Sequence, residues 1–163
     1  MTGLPRASRI ERNAAPAADH IDLTHEARFL RRKRLKAAGG LDFLADLAEV
    51  TDLHDGDAFV LDDGTRVTVR AAPERLMEVT GPNLARLAWH VGNRHTPCEI
   101  GETALRLKAD HVLRGMLEGL GGTVSDVVAP FRPEGGAYGH GRTLAHSHGP
   151  GDGDADHHHN HHD

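Results

Sequence analysis

The feature that most restricts the fold is a change of hydrophobic period near residue 73. Before it, apolar residues come in short alternating runs, as at Val67 and Val69 within 66–70, which is the pattern of a half-buried strand. After it, Leu84, Leu87, Ala88 and Val91 fall at i, i+3, i+4 and i+7, one face of a helix. Side chains repeat every two residues in a strand and every 3.6 in a helix, so the two halves are built from different elements.

In the first half the turn signals His54-Asp55-Gly56-Asp57 and Asp62-Asp63-Gly64 bracket the apolar run 58–61, a strong hairpin signature. Ile21, Leu23, Phe29 and Leu30 sit in β-leaning stretches, whereas 41–50 (LDFLADLAEV) fits helix or strand equally. Residues 19–73 therefore read as a small all-β domain. Residues 1–18 are rich in Ala, Pro and Arg without periodicity, and are expected to be disordered.

The second half gives a strand at 75–79, then a helix opened by Gly81-Pro82-Asn83 and ended by Gly92 or Pro97. Two short strands follow at 98–100 and 104–107. Asp110 caps a second helix carrying Leu113, Met116, Leu117 and Leu120, Gly121-Gly122 stops it, and Val124, Val127 and Val128 lead a last strand. The order is βαββαβ, a ferredoxin-like domain over 74–140. Units of this size bury only about 60% of their unfolded surface, so they must lean on each other or on a second copy of the chain. The expected class is α+β: a small all-β N-terminal domain, a ferredoxin-like domain, and a disordered histidine-rich tail over 141–163, where almost no apolar residue remains.

Several functions fall away. One cysteine, Cys98, excludes a disulfide framework or a Cys-rich zinc site within one chain. No apolar run approaches the ~18–20 residues of a membrane span, and the N-terminus lacks the apolar segment of a secretory signal. A reduced, cytoplasmic setting is expected, with no membrane partner. The three serines lie in no nucleophile elbow, no HExxH occurs, and the glycines of 135–141 form no phosphate loop, so the chain is not expected to be an enzyme.

Histidine is the outlier of the composition, with 14 residues. Eight of these lie beyond residue 139: His140, His146, His148, His157, His158, His159, His161 and His162. Imidazole suits Zn, Cu, Fe and Ni, and affinity order alone favours copper. In an extended chain His146 and His148 point the same way and can share one ion. The run from His157 to His162 can hold more ions loosely; Asn160 interrupts it, unlike an ordinary purification tag.

His95 lies in the loop Gly92-Asn93-Arg94-His95-Thr96-Pro97 just past the first helix. One imidazole is a poor site, but two chains meeting about a twofold axis would present two. His111 opens the second helix, where a solvated N-terminus is the simpler reading. His90 is expected to pack, Cys98 to be a small core residue, and His20, His25 and His54 to be ordinary polar positions.

The run 28–36 holds six of the nineteen basic residues. Arg31, Arg32 and Arg34 are candidates for docking an acidic partner; the alternative is an edge strand protected by charge. Net charge is −5 and aromatics are 4%, so the base-stacking platform of an RNA-binding domain is missing and no nucleic-acid partner is expected.

The blocks 89–97 (WHVGNRHTP), 110–113 (DHVL) with Met116-Leu117, and 129–139 (APFRPEGGAYG), followed by His-Ser-His and a histidine-rich end, resemble the UreE urease accessory family. The resemblance runs in order over about residues 20–148. It implies a homodimeric nickel metallochaperone that delivers Ni²⁺ to urease apoprotein together with accessory proteins including the GTPase UreG. Zn²⁺ or Cu²⁺ would compete. The first domain would correspond to the family's peptide-binding domain and the second to its metal-binding domain.

By position, His95 matches the family's interfacial nickel ligand. His111 matches the second histidine of a pair whose first member is here Ala109, so that pair is incomplete. His146 and His148 match tail histidines that complete the interfacial site in some relatives, and His157, His158, His159, His161 and His162 match a variable storage tail. Because only neutral imidazole ligates, affinity is expected to fall as pH drops through about 6.5. The alternative is a histidine-rich nickel or zinc buffer without a delivery partner.

Overall fold

The computed structural model describes residues 3–136. The expected histidine tail, with His146, His148 and the run from His157 to His162, lies outside the described residues.

The first domain is a six-stranded mixed sheet of β1 (Arg6–Glu11), β2 (Asp19–Leu23), β3 (Phe29–Lys36), β4 (Asp42–Asp52), β5 (Ala58–Leu61) and β6 (Arg66–Ala71). Its order is β2-β6-β5-β1-β4-β3. Side chains from both outer strands, Ile21 and Leu23 on β2 and Leu30 and Leu35 on β3, enter the same core as Phe43, Phe59, Val67 and Val69. The sheet therefore curls around one interior, in which Phe43 and Phe59 meet edge to face at 5.3 Å. Gly64, with φ of +88°, makes the turn between β5 and β6 where the Asp-Gly signal placed it.

The ambiguous segment 41–50 is strand. In β4, Phe43, Ala45 and Leu47 are buried and their neighbours are not, the period-two pattern of a half-buried sheet.

The N-terminal expectation is corrected by the structure. Residues 6–11 are not disordered but form β1, an inner strand pairing in parallel with β4 and antiparallel with β5. Beyond it, the Ala14 amide donates to the Gly56 carbonyl (2.9 Å) and the Ala17 amide to Thr68 Oγ1 (2.9 Å). Long-range backbone pairing, with Ala7 fully enclosed, outweighs the weak local pattern.

The second domain runs β7 (Pro73–Thr80), α1 (Leu84–Asn93), β8 (Glu99–Ile100), β9 (Leu105–Lys108), α2 (His111–Gly119) and β10 (Thr123–Pro130). Its antiparallel sheet has the order β10-β7-β9-β8, the ferredoxin-like arrangement expected from the βαββαβ sequence. Leu87 and Val91 of α1 and Leu113 and Leu117 of α2 bury against Met77, Val79, Leu105 and Leu107. Asn83 caps α1 by accepting from the Arg86 amide, and Asp110 caps α2 by accepting from the Val112 and Leu113 amides.

Only Ala72 separates β6 from β7, and the chain returns to the first domain after β10. There Arg28 is buried, correcting its place in an exposed basic run. Its Nη1 donates to the Leu23 carbonyl (3.0 Å), its Nε to that of Leu53 (3.2 Å) and its Nη2 to that of Phe131 (2.6 Å). His25, expected to be an ordinary polar position, is also buried. Its ring meets Phe131 edge to face at 5.3 Å, and its amide donates to Glu74. Arg132 Nε reaches Asp55 at 2.9 Å. The domains are thus joined both through the chain at Ala72 and through the contacts of His25, Arg28 and Asp55.

Candidate functional site

The end of α1 sets His95. The helix runs through Gly92 to Asn93 rather than stopping at the glycine, and Arg94 is its C-cap. The His95 amide donates to the Gly92 carbonyl (3.0 Å), and His95 itself has φ of +55°. This left-handed position after a helix is the one glycine normally takes, because a Cβ there crowds the following carbonyl. α2 shows the ordinary solution: Leu120 is its C-cap and Gly121, with φ of +90°, follows. His95 thus stands where α2 has glycine, and its side chain is exposed. A left-handed non-glycine residue held by good helix-end hydrogen bonds marks a position where the side chain matters.

His95 lines a cavity of about 740 Å³ between the domains, shared with His25, His54, Cys98, Arg132 and Glu134. His54 is mostly exposed, with Nε2 at 3.9 Å from Asp52. Cys98 is buried, as expected of a core residue. Burial, with help from the Glu134 and Glu99 carboxylates, pushes its thiol up to about 11, so it is protonated at neutral pH and is no ready thiolate ligand.

His111 is exposed at the first position of α2, beside its cap. The Leu113 and Val112 amides hold the Asp110 carboxyl below the usual range, and the charges of His111 and Arg94 add to this. Among the described residues, no three His, Cys, Asp or Glu side chains are grouped so as to hold a metal ion. His95 offers a single exposed imidazole.

Trp89 and Ile100, 63% and 51% exposed, put large apolar surface on the same domain as His95. Arg31, Arg32 and Arg34 lie exposed on β3, the outer strand of the six-stranded sheet, which pairs only with β4 and carries an irregularity at Arg31. Sequence reasoning missed the interdomain cavity and the buried Arg28. It carried no signal for His95's left-handed backbone, because it ended the helix at Gly92 or Pro97 rather than at Asn93.

Residues 3–72 match the N-terminal domain and residues 74–163 the C-terminal domain of the UreE urease accessory protein. The class defined by this pair of domains is an accessory chaperone, not an enzyme. The chain is 57% identical to the urease accessory protein UreE of Rhodobacter capsulatus, over 90% of this chain and 94% of the relative. It is 59% identical to UreE of Paracoccus denitrificans (86% and 90%) and 53% identical to that of Ruegeria pomeroyi (88% and 98%). The chain belongs to the UreE urease accessory protein family, whose role is in urease maturation. Among the described residues, no helix is long and apolar enough to cross a membrane.

Proposed function

We propose that the protein is a homodimeric nickel metallochaperone of the cytoplasm that captures Ni²⁺ and passes it to urease apoprotein with accessory proteins including the GTPase UreG. The observation that carries this reading is His95, a single exposed imidazole at a helix end where glycine is expected. The exposed Trp89 and Ile100 supply apolar surface for a second copy, which would bring a second His95 to the same ion. His146 and His148 add one or two nitrogens. Such ligands leave singly, so a recipient's ligands replace them without the ion ever being free.

The histidines from His157 to His162 act as capacity, raising the local concentration of metal through the tether. His111 contributes at most weakly, since Ala109 leaves its pair incomplete. Zn²⁺ and Cu²⁺ are competitors for the same imidazoles. Arg31, Arg32 and Arg34 offer a docking edge for an acidic partner. Ni²⁺ calorimetry with mass by light scattering, on the full chain, a chain ending at Gly149 and His95→Ala, tests the reading. One tight ion per dimer that survives truncation and vanishes in His95→Ala supports it. Binding that depends wholly on the tail and ignores His95 means a metal buffer instead.

A further inference from the structure

The outer edge of the first sheet carries five cations in one strand: Arg31, Arg32, Lys33, Arg34 and Lys36, all exposed. Leu35 points into the core, so Arg32, Arg34 and Lys36 recur at every second residue of this strand on the other face. Across the pair with β4, Arg32 stands opposite Asp46 and Lys36 opposite Asp42, so five cations face two carboxylates and the strand keeps a net positive charge. Among the described residues Arg34 reaches Asp42 only at 3.7 Å, while Arg32, Lys33 and Lys36 make no ion pair.

The chain beyond residue 136 holds the complementary pattern, Asp152-Gly153-Asp154-Ala155-Asp156, with carboxylates also at every second residue. Extended, these three fall on one side at the same repeat as Arg32, Arg34 and Lys36. The geometry allows them to meet. Arg28, the residue before β3, holds the Phe131 carbonyl, so the C-terminal segment passes beside the start of that strand before it runs along the cavity to Gly136. Sixteen residues from Gly136 to Asp152 can span at most about 55 Å, and an eight-residue strand covers only about 26 Å.

We infer that the segment 151–156 docks along β3 when the tail carries no metal, and that metal loading of the adjacent histidines releases it. This deepens the nickel reading and rests on it. Beyond residue 136 the chain has Asp152, Asp154, Asp156 and Asp163 against Arg142, a net charge of −3. Two divalent ions on the histidines reverse that sign, and attraction to β3 becomes repulsion. The basic strand is thereby covered in the empty protein and open to an acidic recipient in the loaded one. The tail is favoured over a free acidic partner as the resting occupant because tethering gives it an effective concentration of order millimolar.

The chain has only three lysines, Lys33, Lys36 and Lys108, which makes the test direct. Zero-length carbodiimide coupling of the full chain, with links mapped by mass spectrometry, joins a carboxylate to whichever lysine it touches. In chelator at 20 mM salt, Asp152, Asp154 and Asp156 are expected to link to Lys36 and Lys33 at least fivefold more than to Lys108. Lys108 lines the cavity that Gly136 also lines, so it is the lysine that mere chain proximity would favour.

The excess is expected to fall at least fivefold in 300 mM salt, where charges are screened. Two equivalents of Ni²⁺ should do the same, and so should Arg31→Gln/Arg32→Gln/Arg34→Gln, which leaves both lysines in place. Links spread equally over the three lysines overturn the docking, as do links found only between isotopically distinct copies. Ni²⁺ binding in calorimetry with undiminished links overturns the release while the nickel reading stands. No Ni²⁺ binding overturns the release together with that reading.

Discussion

Replacing His95 separates what the fold wants at that position from what the ligand needs. His95 sits at φ of +55°, where an L-residue costs roughly 1–2 kcal/mol relative to glycine. Glycine gives back part of this through its extra freedom in the unfolded chain, about 0.4–1 kcal/mol. His95→Gly should therefore be about 0.5–1 kcal/mol more stable than His95→Ala, or about 1–4 °C in Tm for a chain of this size. Urea unfolding in chelator, at one fixed protein concentration, reads the difference as a shift in midpoint with unchanged slope.

Ni²⁺ then reorders the series. Both variants lack the imidazole and should gain nothing at the tight site, whereas the unsubstituted chain at a hundredfold excess over Kd gains about 2.7 kcal/mol. If His95→Ala equals or exceeds His95→Gly in stability, with equal slopes, the left-handed backbone carries no cost and the reasoning from the helix end fails.

The Asp55 carboxyl is held below its ordinary value: burial alone would raise it, but the Ala71 amide, the Arg132 guanidinium and the charge of Arg28 prevail. Its contribution is complete above the unfolded value near 3.8 and is lost as pH falls through the lower folded one, so Asp55→Asn should lower stability by a constant amount above about pH 6 and flatten the stability curve below about pH 4, where the two proteins converge. Arg28→Met removes the donor to the Leu53 and Phe131 carbonyls, while Leu23 keeps the Ala72 amide. It should cost about 2–4 kcal/mol and increase amide exchange at the domain junction. Cys98, with its thiol near 11, should react with iodoacetamide at pH 8 at least a hundredfold more slowly in the folded protein than in urea; equal rates would contradict its burial.

Elements whose signals are local were legible in the sequence. Asn83 and Asp110 announce both helices through their caps, and Asp63-Gly64 fixes the β5–β6 turn, because each works within four residues of itself. β1 was not legible: its enclosed side chain is only Ala7, and its strand character comes from β4 and β5, far along the chain. Arg28 looked like its basic neighbours because the carbonyls it binds converge only when the two domains meet. The His95 loop could be placed from Gly92 and Pro97, but its left-handed backbone could not, since histidine there replaces the residue that normally signals it.

The position of β1 between β5 and β4 has a consequence for synthesis. Among the described strands it leaves the ribosome first, yet β5, which closes its second side, ends fifty residues later at Leu61. At about 5–20 residues per second, β1 waits roughly 3–10 s with backbone donors and acceptors open. Arg6, Arg9 and Arg12 keep that waiting strand charged. Deleting residues 6–11 would not trim a dispensable edge. It would take out the inner strand on which the two sides of the sheet are hung, leaving β2-β6-β5 and β4-β3 as separate fragments.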